Sequence, residues 1–247
     1  MIVKAIKTEK ILPGSITLLK LLDKYVETLS EGSILVIASK IVALCEGRVV
    51  PVEGSNKDEL IKQEADMYLP KEDNRYNLFL TIKNNILAVS AGIDESNSNG
   101  YYVLWPKDSQ KVANEVRKYL TKRFGVKNAG VIITDSKTTP LRWGVTGVPI
   151  AHSGFAAIRD LIGTPDIFGR QLKMTKVGIM DALAVAGVLV GGEGSEQTPL
   201  VVISDVPFVE FQDRNPTDEE LAELKISMDD DVYAPMLKSA NWQKGKK

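Results

Sequence analysis

The stretch Ser109 to Ser136, SQKVANEVRKYLTKRFGVKNAGVIITDS, carries two periodicities in succession. Val112, Val116, Tyr119 and Leu120 recur at helical spacing, which places them on one face of an amphipathic helix, and Gly125 supplies its stop. Ala129 to Ile133 is then an unbroken apolar run, read as a strand that ends at Thr134 and Asp135. What surrounds this helix and strand decides the fold class. Upstream, Leu78 to Lys83 and Ile86 to Ser90 flank Asn84 and Asn85, the two-residue polar break of a hairpin. Asp94 follows the second strand of that pair directly.

Met1 to Lys7 alternates like a strand, Pro13 and Gly14 break the chain, and the leucines of Ile16 to Leu29 recur at helical spacing. Ser33 to Ala38 is a short apolar run rich in β-branched residues, and Val49 to Val52 is a further strand candidate across the turn at Gly47. Lys57 to Tyr68 reads as helical. Lys176 to Val190 joins helix formers to an apolar stripe before the glycines at 191, 192 and 194. Strands and helices in this mixed order argue against a regular βαβ array. The expected fold is therefore α+β, with mixed sheets and packed helices, unlike a Rossmann or P-loop array. From Pro207 the composition turns polar, with Asp213 to Glu220, acidic Asp229 to Asp231 and a lysine-rich end. Residues 1–205 are read as the main unit and 206–247 as a C-terminal extension.

Composition narrows the function classes. The 247 residues are 44% hydrophobic and 26% charged, which is ordinary globular composition. The 31 basic and 32 acidic residues nearly cancel, so net charge points to no nucleic-acid or polyanion partner. Cys45 stands alone, which excludes an internal disulfide and a cysteine-rich zinc site and fits a reducing compartment. No run approaches the ~20 apolar residues of a membrane span, and the start lacks a signal-peptide apolar block. The expectation is a cytoplasmic protein with no membrane partner.

Three acids follow ordered elements. Asp94 lies in Ala91-Gly92-Ile93-Asp94-Glu95-Ser96-Asn97, where a carboxylate, an amide and a glycine meet; a turn bonded by its own Asp and Asn would look the same. Asp135, with Ser136 beside it, is a strand-end acid of the type that holds a hard cation, with a helix cap as the alternative. Glu193 lies in Gly191-Gly192-Glu193-Gly194-Ser195-Glu196-Gln197, whose glycines allow backbone amides to approach an anion, as a flexible surface loop would also allow. That loop lacks the Lys-Ser/Thr ending of a P-loop and the third glycine of the dinucleotide fingerprint, so a nucleotide site here is of another type. Ser39-Lys40 and Glu46-Gly47-Arg48 follow the Ser33 to Ala38 strand and offer phosphate-binding groups, with surface ion pairing as the alternative. Arg142, in Thr138-Thr139-Pro140-Leu141-Arg142-Trp143-Gly144, is a candidate clamp for a carboxylate or phosphate. His152 is the sole histidine, without a G-x-S-x-G elbow, and reads as structural. Cys45 reads as buried packing, and Asp166 with Gly169-Arg170 as a turn bearing an ion pair.

Taken in order, these segments resemble the gamma-glutamyl ligases that add glutamate to the precursor of the deazaflavin coenzyme F420, and most closely the branch labelled folate gamma-glutamate ligases. The resemblance runs through I-L-V-I-A-S-K-I-V with E-G-R, A-G-I-D-E-S-N, L-W-P-K-D-S, V-I-I-T-D-S, R-W-G-V-T-G-V-P-I, D-I-F-G-R and L-V-G-G-E-G-S-E-Q-T-P, roughly residues 1 to 205. It implies metal ligation by Asp94, Asp135 and Glu193, with Ser136 as a fourth ligand for Mg²⁺ or Mn²⁺. It also implies nucleotide contacts at Ile11, Ser39, Lys40, Asn97 and the loop residues Gly191, Gly192, Gly194, Ser195, Glu196 and Gln197. The co-substrate it implies is GTP or ATP, the other substrates an F420-0-like or folate-like acceptor and L-glutamate, and the assembly a homodimer. Lys40 and Arg142 would add electrostatic stabilisation to phosphoryl transfer. The chain departs from the family at Leu44, where a lysine is common, at Glu193, where a glutamine often serves, and at K-T-T-P-L-R-W-G after Asp135, which bears on the acceptor. Two other classes fit the same acids: a metal-dependent nucleotide or phosphoester hydrolase, and a nucleotide-binding homologue without turnover.

Overall fold

A computed structural model describes residues 1–246 of the chain. Its centre is a five-stranded sheet in the order Ile2–Ile6, Leu200–Ser204, Ser33–Ala38, Ala129–Thr138 and Val145–Ser153. Only Ser33–Ala38 and Ala129–Thr138 run parallel; the remaining pairs are antiparallel. The expected α+β class with mixed sheets holds. Both faces of this sheet are covered, which is why its inner strands are continuous apolar runs without alternation. Leu35, Ile37, Val131 and Ile133 belong to one core with the helices Leu18–Tyr25, Ser39–Glu46 and Ser109–Phe124. Ile34, Val36 and Ile132 belong to a second core with Leu183 and Ala184 of the helix Ile179–Gly191.

A smaller antiparallel sheet takes Gln243–Lys244, Met67–Leu69, Leu80–Lys83 and Ile86–Val89 in that order. Asn84 and Asn85 turn its hairpin at φ 51° and 64°, the backbone that a two-residue turn of this hand requires. Two short ribbons pair Val49–Pro51 with Tyr101–Val103 and Ile158–Asp160 with Lys176–Gly178. The Ser109–Phe124 helix keeps its expected bounds because both ends are set locally. Asp108 Oδ1 accepts from Lys111 N–H at 2.9 Å, and Gly125 leaves the helix at φ 65°.

Other boundaries differ from expectation for tertiary reasons. The helix expected over 16–29 spans Leu18–Tyr25, opened by the Thr17 side chain. The one expected over 57–68 ends at Glu64, and Met67–Leu69 pairs with Leu80–Ile82 as a strand. Lys176–Gly178 is a strand ahead of the Ile179–Gly191 helix. Ala129–Ile133 does not stop at Thr134: paired against Val145–Ser153 it continues to Thr138, so Asp135 sits inside a strand just after a register shift. Residues beyond 205 return over the body. Phe211 bridges Phe155, Arg117 Nε donates to Asn215 Oδ1 at 2.8 Å, and Gln243 pairs with Tyr68. Among the described residues no helix is long and apolar enough to cross a membrane.

Candidate functional site

A cavity of about 550 Å³ opens where the central sheet, the start of the Ser39–Glu46 helix and three loops meet. Its walls come from five separate segments: Thr8 to Leu12, Ser39 to Ile41, Asp94 with Asn97, Thr134 to Ser136, and Gly191 to Pro199. Every residue to which the family resemblance gave a metal or nucleotide contact lines it, from Ile11, Ser39, Lys40 and Asn97 through Asp94, Asp135 and Ser136 to Glu193 and its loop. Arg142 does not. It sits on the exposed turn between the two long antiparallel strands, its backbone N–H bonded to Thr139 O at 3.2 Å. Arg48 is also drawn elsewhere, into an ion pair with Glu64 at 2.5 Å.

Asp94 is fully engaged. Its Oδ1 accepts from the backbone N–H groups of Glu95 (2.6 Å) and Ser96 (2.9 Å), and its Oδ2 from Ser96 Oγ (2.8 Å) and Lys40 Nζ (2.5 Å). Burial pushes this carboxyl up, but the bonds from Lys40 and Ser96 outweigh burial and leave it below the usual range. Asp135 accepts from Ser136 N–H at Oδ1 (2.9 Å) and from Trp105 Nε1–H at Oδ2. Burial raises its carboxyl above the usual range, with the Asp94 charge adding to the effect and the two donors and Lys40 opposing it. Burial likewise raises Glu193, opposed by a bond to Ser136 and reinforced by the charges of Asp135 and Asp94. The Asp94 charge thus acts on both Asp135 and Glu193 across one cavity.

Carboxylate and hydroxyl oxygens are the donors that a hard divalent cation takes, and mutually repelling acids are relieved by such an ion. The residue types at this cavity therefore fit Mg²⁺ or Mn²⁺. Among the described residues, however, no group of three or more His, Cys, Asp or Glu side chains is arranged to hold an ion. One contact that stands in the way is visible: the Lys40 ammonium occupies Asp94 Oδ2.

The cavity also has groups suited to an anion. The Ser39–Glu46 helix begins at Ala38 without a side-chain cap, so the free N–H groups and positive end of its first turn lie at Ser39, Lys40 and Ile41 on the cavity wall. Asn97, at φ 54°, donates from Nδ2 to Gly194 O at 2.9 Å and ties the glycine loop to the Asp94 segment. Gly194 N–H is bonded to the Glu196 carboxylate at 2.8 Å.

Outside the cavity, His152 is 2% exposed and stacks edge-on against Phe155 with ring centroids 5.4 Å apart, as its structural reading requires. Burial pushes the Cys45 thiol up to about 11, which leaves it inert at neutral pH. Asp166 accepts at Oδ1 from the backbone N–H groups of Phe168 and Arg170, both at 2.9 Å, so its partners in the turn are backbone groups. The Trp105 contact to Asp135 was not foreseen from sequence. Its only local signal was the position of Trp105 in L-W-P-K-D-S.

Comparison with known proteins identifies the family. A family model described as F420-0:Gamma-glutamyl ligase matches residues 5–205. The chain is 37% identical over 232 residues to the coenzyme F420:L-glutamate ligase of Methanococcus maripaludis strain C7, covering 88% of this chain and 90% of that protein. It is 35% identical to the protein of the same name from Methanopyrus kandleri (78% and 82% covered) and 33% identical to that from Methanocaldococcus jannaschii (78% and 83%).

Proposed function

The chain belongs to the F420-0:gamma-glutamyl ligase family, and from that premise we propose that it joins L-glutamate to a carboxylate of an F420-0-like or folate-like acceptor at the expense of GTP or ATP. A carboxylate does not condense with an amine unaided. In the proposed reaction the terminal phosphoryl group passes to the acceptor carboxylate, giving an acyl phosphate and a nucleoside diphosphate. The glutamate amine then attacks the acyl carbon, the C–N bond forms and inorganic phosphate leaves.

The observation that carries this reading is the cavity itself, which gathers from five separated segments the acids, the uncapped helix start and the glycine loop. Lys40 and the amides of Ser39 to Ile41 would hold the phosphates and offset their charge. Asn97 would keep the 191 to 197 loop in register with the Asp94 segment. Asp94, Asp135, Glu193 and Ser136 would hold a divalent cation, which when bound offsets the negative charge gathered on the phosphoryl oxygens. No side-chain nucleophile is needed, in keeping with an inert Cys45 and a buried His152. A homodimer belongs to the same reading: Leu141, Trp143, Ile167 and Phe168 are exposed apolar side chains that a second copy would cover. Arg142, on the same exposed turn as Leu141 and Trp143, would meet an acceptor carboxylate only through such pairing.

The test is to incubate the protein with each acceptor, L-glutamate, Mn²⁺ and each triphosphate, and to look by mass spectrometry for a glutamyl increment. Phosphate release that is independent of both glutamate and acceptor would identify a hydrolase and overturn the proposal.

A further inference from the structure

The acid candidates differ in what supports them. Asp94 is held by its own turn and by Lys40, whereas the Asp135 carboxylate takes a long-range hydrogen bond from Trp105. Trp105 follows the Tyr101–Val103 strand and is 3% exposed. An indole has one donor and no acceptor, so where its N–H points is its entire polar function; here it points at Asp135 Oδ2.

The ring is fixed from two sides. Gly92 lies against it at φ 71°, and a Cβ at that position would overlap Nε1, Cε2 and Cδ1 of the indole. Lys83 Nζ stands 5.1 Å from a ring centroid of the indole, held by Glu64 at 2.8 Å. Glu64 is in turn gripped by Arg48 at 2.5 Å. Lys83 belongs to the smaller sheet and Asp135 to the central one, so Trp105 bridges the two.

We infer that Trp105 is the positioning residue for Asp135: clamped between Gly92 and Lys83, its indole N–H turns the Asp135 carboxylate and holds it in one orientation for the divalent cation. The inference rests on the proposed metal role of Asp135 and adds to it the reason that the smaller sheet and the Gly92 turn abut the site. Outer hydrogen bonds of this kind typically alter metal affinity by about 10- to 100-fold when removed.

Two readouts test it. In a proton–nitrogen correlation spectrum the three tryptophans give three indole signals; that of Trp105 is assigned by elimination with Trp143→Phe and Trp242→Phe, which leave its surroundings intact. Titration with Mg²⁺ should move the Trp105 signal, because the carboxylate that accepts its proton becomes shared with the ion, and should leave the Trp143 and Trp242 signals in place. By calorimetry, Trp105→Phe should weaken Mn²⁺ binding by about tenfold or more, and Gly92→Ala, which keeps the indole but displaces it, should weaken binding in the same direction. An unmoved Trp105 signal while the wild-type chain binds the cation overturns the inference and leaves the ligase reading standing. So does wild-type Mn²⁺ affinity in a folded Trp105→Phe. A wild-type chain that binds no Mn²⁺ overturns the metal reading, and this inference with it.

Discussion

Lys40 Nζ lies 2.5 Å from Asp94 Oδ2, with its two further bonds to Ser96, at O (2.9 Å) and Oγ (3.1 Å). An ammonium thus occupies the carboxylate oxygen that a divalent cation would take. For Asp94 to serve as a ligand the pair must part, and the freed lysine then lies beside the uncapped helix start where phosphates would bind. Lys40→Gln is expected to tighten Mn²⁺ binding without nucleotide by several-fold, because a competing charge is removed, and to weaken triphosphate binding. Isothermal titration with each ligand alone reads both effects. Mn²⁺ affinity that stays constant or falls in the variant would show that Lys40 does not compete for Asp94.

Asp135→Asn separates charge from shape. The amide keeps an oxygen for the Trp105 N–H but carries no charge, and burial already opposes ionisation at this position. Folding should therefore be conserved, with the unfolding midpoint changed by no more than a few degrees, while turnover falls about 100-fold or more. Wild-type turnover in the purified variant would remove Asp135 from the mechanism.

Asn97 adopts φ 54°, a backbone conformation that asparagine tolerates better than most residues, and its side chain spans to Gly194 O. Asn97→Ala should raise the nucleotide KM by about tenfold through loss of the tie, with a modest stability cost of about 1 kcal/mol from the strained backbone and the lost bond. Asn97→Gly removes the strain but not the loss of the tie, so it should recover stability while KM remains high. A KM restored by glycine would assign the effect to the backbone.

Much of this arrangement is legible in the sequence because its signals are local. Ser33 to Ala38 and Ser109 to Phe124 are delimited by an apolar run and by a cap and a glycine, and the structure keeps those bounds. The residues that line the cavity are legible because Asp94 and Glu193 follow ordered elements, Asp135 closes an apolar run, and glycines and an amide flank them. What could not be read depends on distant partners. Val145 to Ser153, with Gly147 and Pro149, has a loop-like composition. It becomes a strand because Gly147 lets it pack directly on the backbone of Ala184 and because Pro149 faces the register shift at Thr134. Met67 and Tyr68 read as the end of a helix until Leu80 to Ile82 pairs with Met67–Leu69. Neither the Lys40 to Asp94 contact nor the Trp105 to Asp135 bond has a sequence signature, since their partners lie 54 and 30 positions apart.

His152 makes a prediction about stability instead of catalysis. Burial pushes its imidazole down to about 4, offset in part by Glu220 and by a backbone bond at Phe155, and its Nδ1 has no hydrogen-bond partner among the described residues. The native state therefore resists protonation at this ring, while the unfolded chain takes up the proton near the ordinary value of about 6.5. Above that value the ring is neutral in both states and stability is independent of it. As pH falls from about 6.5 to about 4, the unfolded state binds the proton first and the fold loses stability, by at most roughly 3 kcal/mol from this group. His152→Leu removes the linkage, so the difference in unfolding free energy between wild type and variant should shift against the wild type as pH drops through that window. Urea denaturation of both proteins at pH 7.5, 6 and 5 measures it. A difference that stays constant across the three values would mean that the ring is solvated in the native state and titrates as it does in the unfolded chain.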